Sequence, residues 1–422
     1  MKLNIQPITA LCDHKLDFRI SGLPPSGRVK TRASFRLPWA KDVLYESEAW
    51  FTADDKGAVD LSSQKPEEGG YDFIDSMGLI TSARSRDPQA IKKIGHVDID
   101  ENLIIQVEAS NAEEKQEVRL TRCFMDTAVK RLKITDGFVG ELFYWEGANR
   151  RTIIFLGGSG SGLGVNAPLA AGLASRGFNV LSLPFHGEAG LPNQLSMIPL
   201  EYFERAFDWL AKNPITRCKD LWILGMSKGA EASLILASQN PAITRMVLWA
   251  PHAYCFNGIA FKNESSWSYE GTPIPYIRLK NRWLVKNMLD CMMKNKPFGY
   301  TSTYRKGLAM ATNREAARIK VEKMNTDVMM FTSKDCNMWN TFDGCLEIMA
   351  TLDENHYGHE YDLTVYEDAG EPYYIPYVIP AGETSAKLLP RLVLSTGGTL
   401  KGNAFARADS WEKTVEYFKK GE

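Results

Sequence analysis

Gly225-Met-Ser-Lys-Gly229 is the stretch with the plainest chemical consequence. It sets a serine between glycines, directly after the apolar run Leu221-Trp-Ile-Leu224 and before the helix-forming run Ala230 to Ala237. A G-x-S-x-G turn between a strand and a helix is a nucleophile elbow. The strained turn lifts the hydroxyl to the mouth of a sheet, and the residues beside it must be small for strand and helix to pack closely. The first free N–H groups of the new helix, at the positive end of its dipole, favour an oxyanion forming there. A bare G-x-S-x-G also occurs in ordinary turns; the strand before and the helix after set this one apart. The implied chemistry is acyl transfer through Ser227. The chain must then supply an oxyanion loop upstream, and an acid and a base downstream.

The upstream run Gly157-Gly-Ser-Gly-Ser-Gly-Leu-Gly164 admits two readings. As an oxyanion loop, it offers backbone N–H groups near Ser159 and Gly160, which join that of Lys228 at a tetrahedral oxygen. As a dinucleotide fingerprint, Gly162-Leu-Gly-Val-Asn-Ala167 fits G-x-G-x-x-A, with Glu188 about twenty residues on, and implies an NAD(P) enzyme. Glu188 falls past its strand in a Pro/Gly loop, and glycines already precede the fingerprint, so the oxyanion loop is the better reading. Downstream, Thr332-Ser-Lys-Asp-Cys-Asn-Met-Trp339 follows a strand end and puts Asp335 where a triad acid belongs. A helix N-cap is the competing role for Asp335.

Two kinds of element must position these groups. Residues 1–135 read as an Ig-like β-sandwich: Leu16–Ile20, Val29–Phe35, Val43–Trp50, Leu103–Val107 and Glu117–Thr121 are short, mostly alternating runs separated by turn clusters. From about Val139, strands alternate with helices, which predicts a mostly parallel sheet covered on both faces and ligands at the carboxyl ends of its strands. Residues 136–422 form this α/β domain, interrupted at about 255–324 by a lid-like insertion. At 422 residues the chain exceeds one ordinary core.

Fifty basic against 51 acidic residues leave a net charge of −1, so no global field selects nucleic acid or an anionic membrane, and any anionic ligand needs a local patch. No run is long enough to span a bilayer. Seven scattered cysteines without C-x-x-C spacing point to free thiols in a reducing cytoplasm, and against a disulfide framework or a zinc site.

Several stretches, in order from sandwich to last helix, resemble the acyl-CoA thioesterase and bile acid-CoA:amino acid N-acyltransferase family. They are Asp75-Ser-Met-Gly-Leu79, Glu201-Tyr-Phe203, Gly225-Met-Ser-Lys-Gly-Ala-Glu231, Lys334-Asp335 with Trp339, Gly397-Gly398 and Asp409-Ser-Trp411. The resemblance implies a sandwich joined to an α/β-hydrolase domain. It implies hydrolysis of an acyl-CoA thioester or transfer of its acyl group, with Ser227 as nucleophile and Asp335 as acid. The amino-acid transferase branch has cysteine at the elbow, so serine leans towards hydrolysis. Coenzyme A enters only as part of the substrate, and no other cofactor, metal or macromolecular partner is implied.

One departure stands out. The family's triad histidine lies in a run resembling Tyr-x-x-Ala-Gly-His, and here that run is Tyr366-Glu-Asp-Ala-Gly-Glu371. A glutamate at the base position has a reference pKa of ~4.3 against ~6.5 for histidine, weaker by ~3 kcal/mol. Two carboxylates, Asp335 and Glu371, would also repel and share a proton. Three outcomes are open: Glu371 is a slow base with a raised pKa, His186 or His252 at strand ends substitutes for it, or the site binds acyl or CoA groups without turnover. Lastly, the insertion carries eight basic residues and one acid between Arg278 and Lys306. Arg278, Lys280, Arg282 and Lys286 are read either as a solvated amphipathic lid helix or as a rim for the phosphates of coenzyme A beside an acyl channel.

Overall fold

The computed structural model describes residues 1–87, 97–147, 150–160, 162–216, 218, 220–259, 263–371 and 373–421. In the first part of the chain, the alternating runs are strands Asp17–Ser21, Arg28–Leu37, Ala40–Thr52, Leu103–Ser110 and Lys115–Cys123. Together with shorter strands, among the described residues, they build a three-stranded and a seven-stranded sheet. Alternate residues point inward, as period-two patterning requires. Ile5, Phe18 and Ile20 of the smaller sheet and Val29, Phe35 and Val107 of the larger share one core, which is the expected sandwich.

The second sheet has eight strands: Val129–Ile134 (β1), Gly140–Trp145 (β2), Thr152–Leu156 (β3), Asn179–Ser182 (β4), Leu221–Met226 (β5), Ile243–Trp249 (β6), Asp327–Ser333 (β7) and Tyr361–Tyr366 (β8). Their order is β1-β2-β4-β3-β5-β6-β7-β8. β2 runs antiparallel to both its neighbours, and β4 through β8 are mutually parallel. This is the mostly parallel sheet that the alternation of strands and helices predicts, in the α/β-hydrolase arrangement that the resemblance implies. β1 precedes residue 136, so the sheet starts inside the stretch that sequence assigned to the sandwich.

Central strands buried on both faces must be continuously apolar, and every residue of β3 is buried. Ile153 and Phe155 enter one core with helices Leu163–Ala174 (α1) and Leu400–Lys420 (α7). Ile154 and Leu156 enter the other with Glu201–Lys212 (α2), Lys228–Ala237 (α3) and Thr341–Glu354 (α6). The insertion between β6 and β7 carries helices Asn281–Met293 (α4) and Thr301–Ala309 (α5). The first core is continuous with that of the sandwich. Asp13 clamps the junction, accepting from Arg176 Nε at 2.7 Å and Trp411 Nε1 at 2.8 Å. Among the described residues, no helix is long and apolar enough to cross a membrane.

Candidate active site

Ser227 sits between β5 and α3 at φ 52°, ψ −116°, a conformation that L residues adopt only when their surroundings impose it. Its N–H donates to Trp249 O at 2.8 Å, and its carbonyl accepts from Glu231 N at 3.0 Å to begin the helix. The flanking glycines are required by close approach. A Cβ at Gly229 would lie 2.0 Å from Leu156 O, and one at Gly225 would lie 2.5 Å from Ser233 Oγ. The elbow is thus a physical joint between β3, β5 and α3.

The serine opens onto a cavity of about 520 Å³ at the carboxyl ends of the strands. Ser159, Gly160 and Glu371 line it, together with Val165, Met226 and Tyr373 from the sheet side and Leu279, Leu284 and Tyr304 from the insertion. A Cβ placed on Gly158 would be 3.4 Å from the Ser227 Cβ, so the glycine loop packs directly beside Ser227. Lys228 opens α3, and its N–H has no partner within the helix.

Glu371 is the second polar group on the cavity wall. It shares the cavity wall with Ser227, whose side chain acts to lower its pKa. Burial pushes its pKa up to about 7, against the smaller, opposite pull of that side chain. Cys336 donates its thiol to Glu371 Oε2 at 4.0 Å, and burial, pushing that thiol up to about 12, keeps it a donor. The loop bearing Glu371 is pinned by Gly370 N to Asn403 Oδ1 at 2.9 Å, and Asn403 Nδ2 reaches Gly397 O at 3.1 Å. A carboxyl that ionises near neutrality beside a serine at one cavity can serve as a base for its hydroxyl.

The expected acid does not join them. The Asp335 side chain is exposed and outside the cavity lining. Its backbone packs on the turn at Gly397, where φ is +90° and a Cβ would lie 1.8 Å from Asp335 O. The neighbouring Cys336 points inward instead. Asp335 and Glu371 therefore do not meet in the cavity.

The two substitute bases fare differently. His252 is fully buried among Tyr254, Phe256 and Trp339, outside the cavity lining. Its Nδ1 accepts from Tyr254 N at 3.2 Å, and burial pulls its pKa down to about 3. It is a neutral core residue. His186 is half-buried and meets the backbone of Ser159, which places it behind the oxyanion loop; burial lowers its pKa.

The dinucleotide reading loses its seat. Glu188 Oε1 accepts from Leu163 N at 2.6 Å, so a carboxylate occupies the N-terminus of α1 where phosphate oxygens would have to lie. The phosphate rim is likewise not assembled. Of the four basic residues, Lys280 lines the cavity, Arg278 faces a separate shallow pocket, and Arg282 and Lys286 are exposed elsewhere.

Sequence reasoning missed a buried ion pair beneath the elbow. The Lys228 ammonium meets Glu231 Oε2 at 2.9 Å and Ser266 Oγ at 2.9 Å, while Glu231 Oε1 accepts from Trp267 Nε1 at 2.8 Å. Both side chains are almost wholly buried. The i,i+3 spacing was visible as an ordinary helix pair. What the sequence did not show is that the insertion covers it.

Two family models match the chain: the C-terminal region of BAAT and acyl-CoA thioester hydrolases over residues 198–421, and their N-terminal region over 13–136. The chain is 25% identical to "Acyl-coenzyme A thioesterase 2, mitochondrial" of Rattus norvegicus, covering 99% of this chain and 89% of the relative. It is 27% identical to the "Bile acid-CoA:amino acid N-acyltransferase" of Mus musculus, covering 99% and 97%. It is also similar to a "Peroxisomal succinyl-coenzyme A thioesterase" of Mus musculus, 25% identical over 99% of this chain and 96% of the relative. Among solved structures, a dienelactone hydrolase from Anabaena variabilis aligns with a TM-score of 0.37 and 14% identity, over 69% of this chain and 98% of that one.

Proposed function

The chain belongs to the acyl-CoA thioester hydrolase and BAAT family, and we propose that it hydrolyses acyl-CoA or related thioesters through an acyl-enzyme on Ser227. The observation that carries this reading is the meeting of Ser227 and Glu371 at one apolar cavity.

In this mechanism, ionised Glu371 takes the hydroxyl proton as Ser227 Oγ attacks the thioester carbonyl. The N–H of Lys228 and those of the Ser159–Gly160 loop face the resulting oxyanion. The carbon–sulfur bond breaks and the thiol leaves with the proton from Glu371. Water then attacks the acyl-serine, giving its proton to Glu371, which passes it to Ser227 Oγ as the ester bond breaks and the acid is released. A thiol leaving group ionises near pH 8.5, so departure demands little acid help, and a carboxyl base is a smaller handicap here than in amide cleavage. Serine at the elbow favours water over an amine as the final acceptor. A cytoplasmic location is the reading that best suits the seven free cysteines.

The deciding experiment is intact mass after brief incubation with a panel of acyl-CoA thioesters and, separately, a serine-directed phosphonate. An acyl adduct that maps to Ser227 and vanishes in Ser227→Ala supports the mechanism. Binding of acyl-CoA without any adduct or released thiol overturns it in favour of a silent acyl-binding homologue.

A further inference from the structure

The lid helix α4 is anchored on one side and bare on the other. Trp283 is buried, Leu284 lines the cavity, and Asn287 Nδ2 donates to Gly299 O at 2.7 Å. The opposite face carries Val285, Leu289 and Met293, which are 52%, 52% and 76% exposed. Spaced by four, they form one stripe along the helix. Isolated exposed apolar residues need no explanation, but three aligned on one helix do.

The charges around this stripe are mostly positive. Arg282 and Lys286 lie among its apolar residues and Lys294 and Lys296 follow it, all exposed. The one acid of the helix, Asp290, sits 3.5 Å from Lys286. The hairpin Ser385–Leu389 and Leu392–Ser395 extends the surface. It is tied to the end of the lid by Phe298 N to Val393 O at 2.7 Å, and its first strand ends on Leu389, 53% exposed, with Lys387 and Arg391 exposed nearby. In a chain with a net charge of −1 this is a local basic, apolar surface. Its helix also contributes Lys280 at the N-cap and Asn281 to the cavity mouth.

We infer that this face of α4 and the adjoining hairpin dock on an anionic lipid interface, with Val285, Leu289, Met293 and Leu389 entering the acyl boundary and the flanking cations meeting lipid phosphates. Interleaved cations and apolar side chains on a helix lying flat are what a headgroup layer of negative charge selects. The phosphate-facing role expected of Arg282 and Lys286 is thus kept, but it is transferred from a soluble ligand to a surface. The inference stands apart from the turnover chemistry of Ser227, since none of these side chains belongs to the catalytic contact.

Flotation of the full chain with vesicles of phosphatidylcholine and phosphatidylglycerol at three to one, against pure phosphatidylcholine, tests it. The expected result is recovery with the anionic vesicles only. Binding should fall on the order of tenfold in Leu289→Asp and in the double variant Arg282→Glu with Lys286→Glu, and should weaken as salt is raised. Met293→Gln, at the most exposed position, is the second apolar variant should Leu289→Asp fail to fold. Absence of the wild type from both vesicle fractions overturns the inference, as does binding that ignores these substitutions. A wild-type dimer in sedimentation that Leu289→Asp converts to monomer, without vesicle binding, also overturns it, because a second copy then covers the stripe.

Discussion

Ser227 and Glu371 line the same cavity, and the serine side chain draws down a carboxyl that burial lifts to a pKa of about 7. The base must be ionised to act, so thioester turnover should rise about tenfold per pH unit below 7 and level off above it. A kcat/KM profile between pH 5 and 9 measures this. A flat profile through pH 7 would remove Glu371 from the base role.

Glu371→Gln should lower turnover on the order of 10²–10⁴-fold and yet stabilise the fold in alkali. The folded pKa, about 7, lies above the ordinary 4.5, so the native state holds the proton more tightly than the unfolded chain. Stability is then lost as pH rises from 4.5 to 7, by at most about 3 kcal/mol. Melting temperatures of wild type and Glu371→Gln should converge at pH 4 and separate at pH 8, with the variant higher.

Asp335→Asn should change kcat by less than about twofold, because an exposed carboxylate outside the cavity has little leverage on a buried proton transfer. Glu371→His should raise hydrolysis by supplying a better base, and adding Asp335→Asn should leave that gain intact. A large loss in the single Asp335→Asn variant would restore the aspartate to the site.

Glu231→Gln should destabilise the protein by about 3 kcal/mol, since it leaves the Lys228 ammonium buried without its counter-charge. Lys228→Met combined with Glu231→Leu should recover most of that loss. Urea unfolding of the three proteins checks the order. Equal stability of Glu231→Gln and wild type would mean that water reaches the pair.

Gly229→Ala should cost at least about 2 kcal/mol and most of the activity together. Its Cβ would press on Leu156 O at 2.0 Å and Gly157 O at 2.4 Å, displacing the loop that faces the oxyanion. Unfolding and adduct formation measured on one preparation would show whether the two losses coincide.

Ser227 and the glycine loop were legible because short local patterns write them: an apolar run, a glycine-bounded serine and a helix former need no distant partner to be recognised; position 371 was picked out only by the resemblance to the family's Tyr-x-x-Ala-Gly-His run. The sandwich and the parallel sheet were equally visible, since period-two alternation and fully apolar strands follow from which faces are buried. The start of the sheet was not. β1 pairs with β2 across a tight connection and reads as one more strand of the sandwich until its partner is known.

What sequence alone determined is a glycine-bounded serine between strand and helix, and a carboxyl where the family resemblance led to a histidine being expected. The fold then decided which groups meet that serine. Asp335 and Cys336 are adjacent in sequence, and only the turn packed against Gly397 sends one to solvent and the other to Glu371. Likewise, the same four basic residues of the insertion could face a cavity or a surface, and the helix phase set by Trp283 and Asn287 turned Arg282 and Lys286 outward. A side chain's type is local, but its direction depends on backbone contacts made far along the chain.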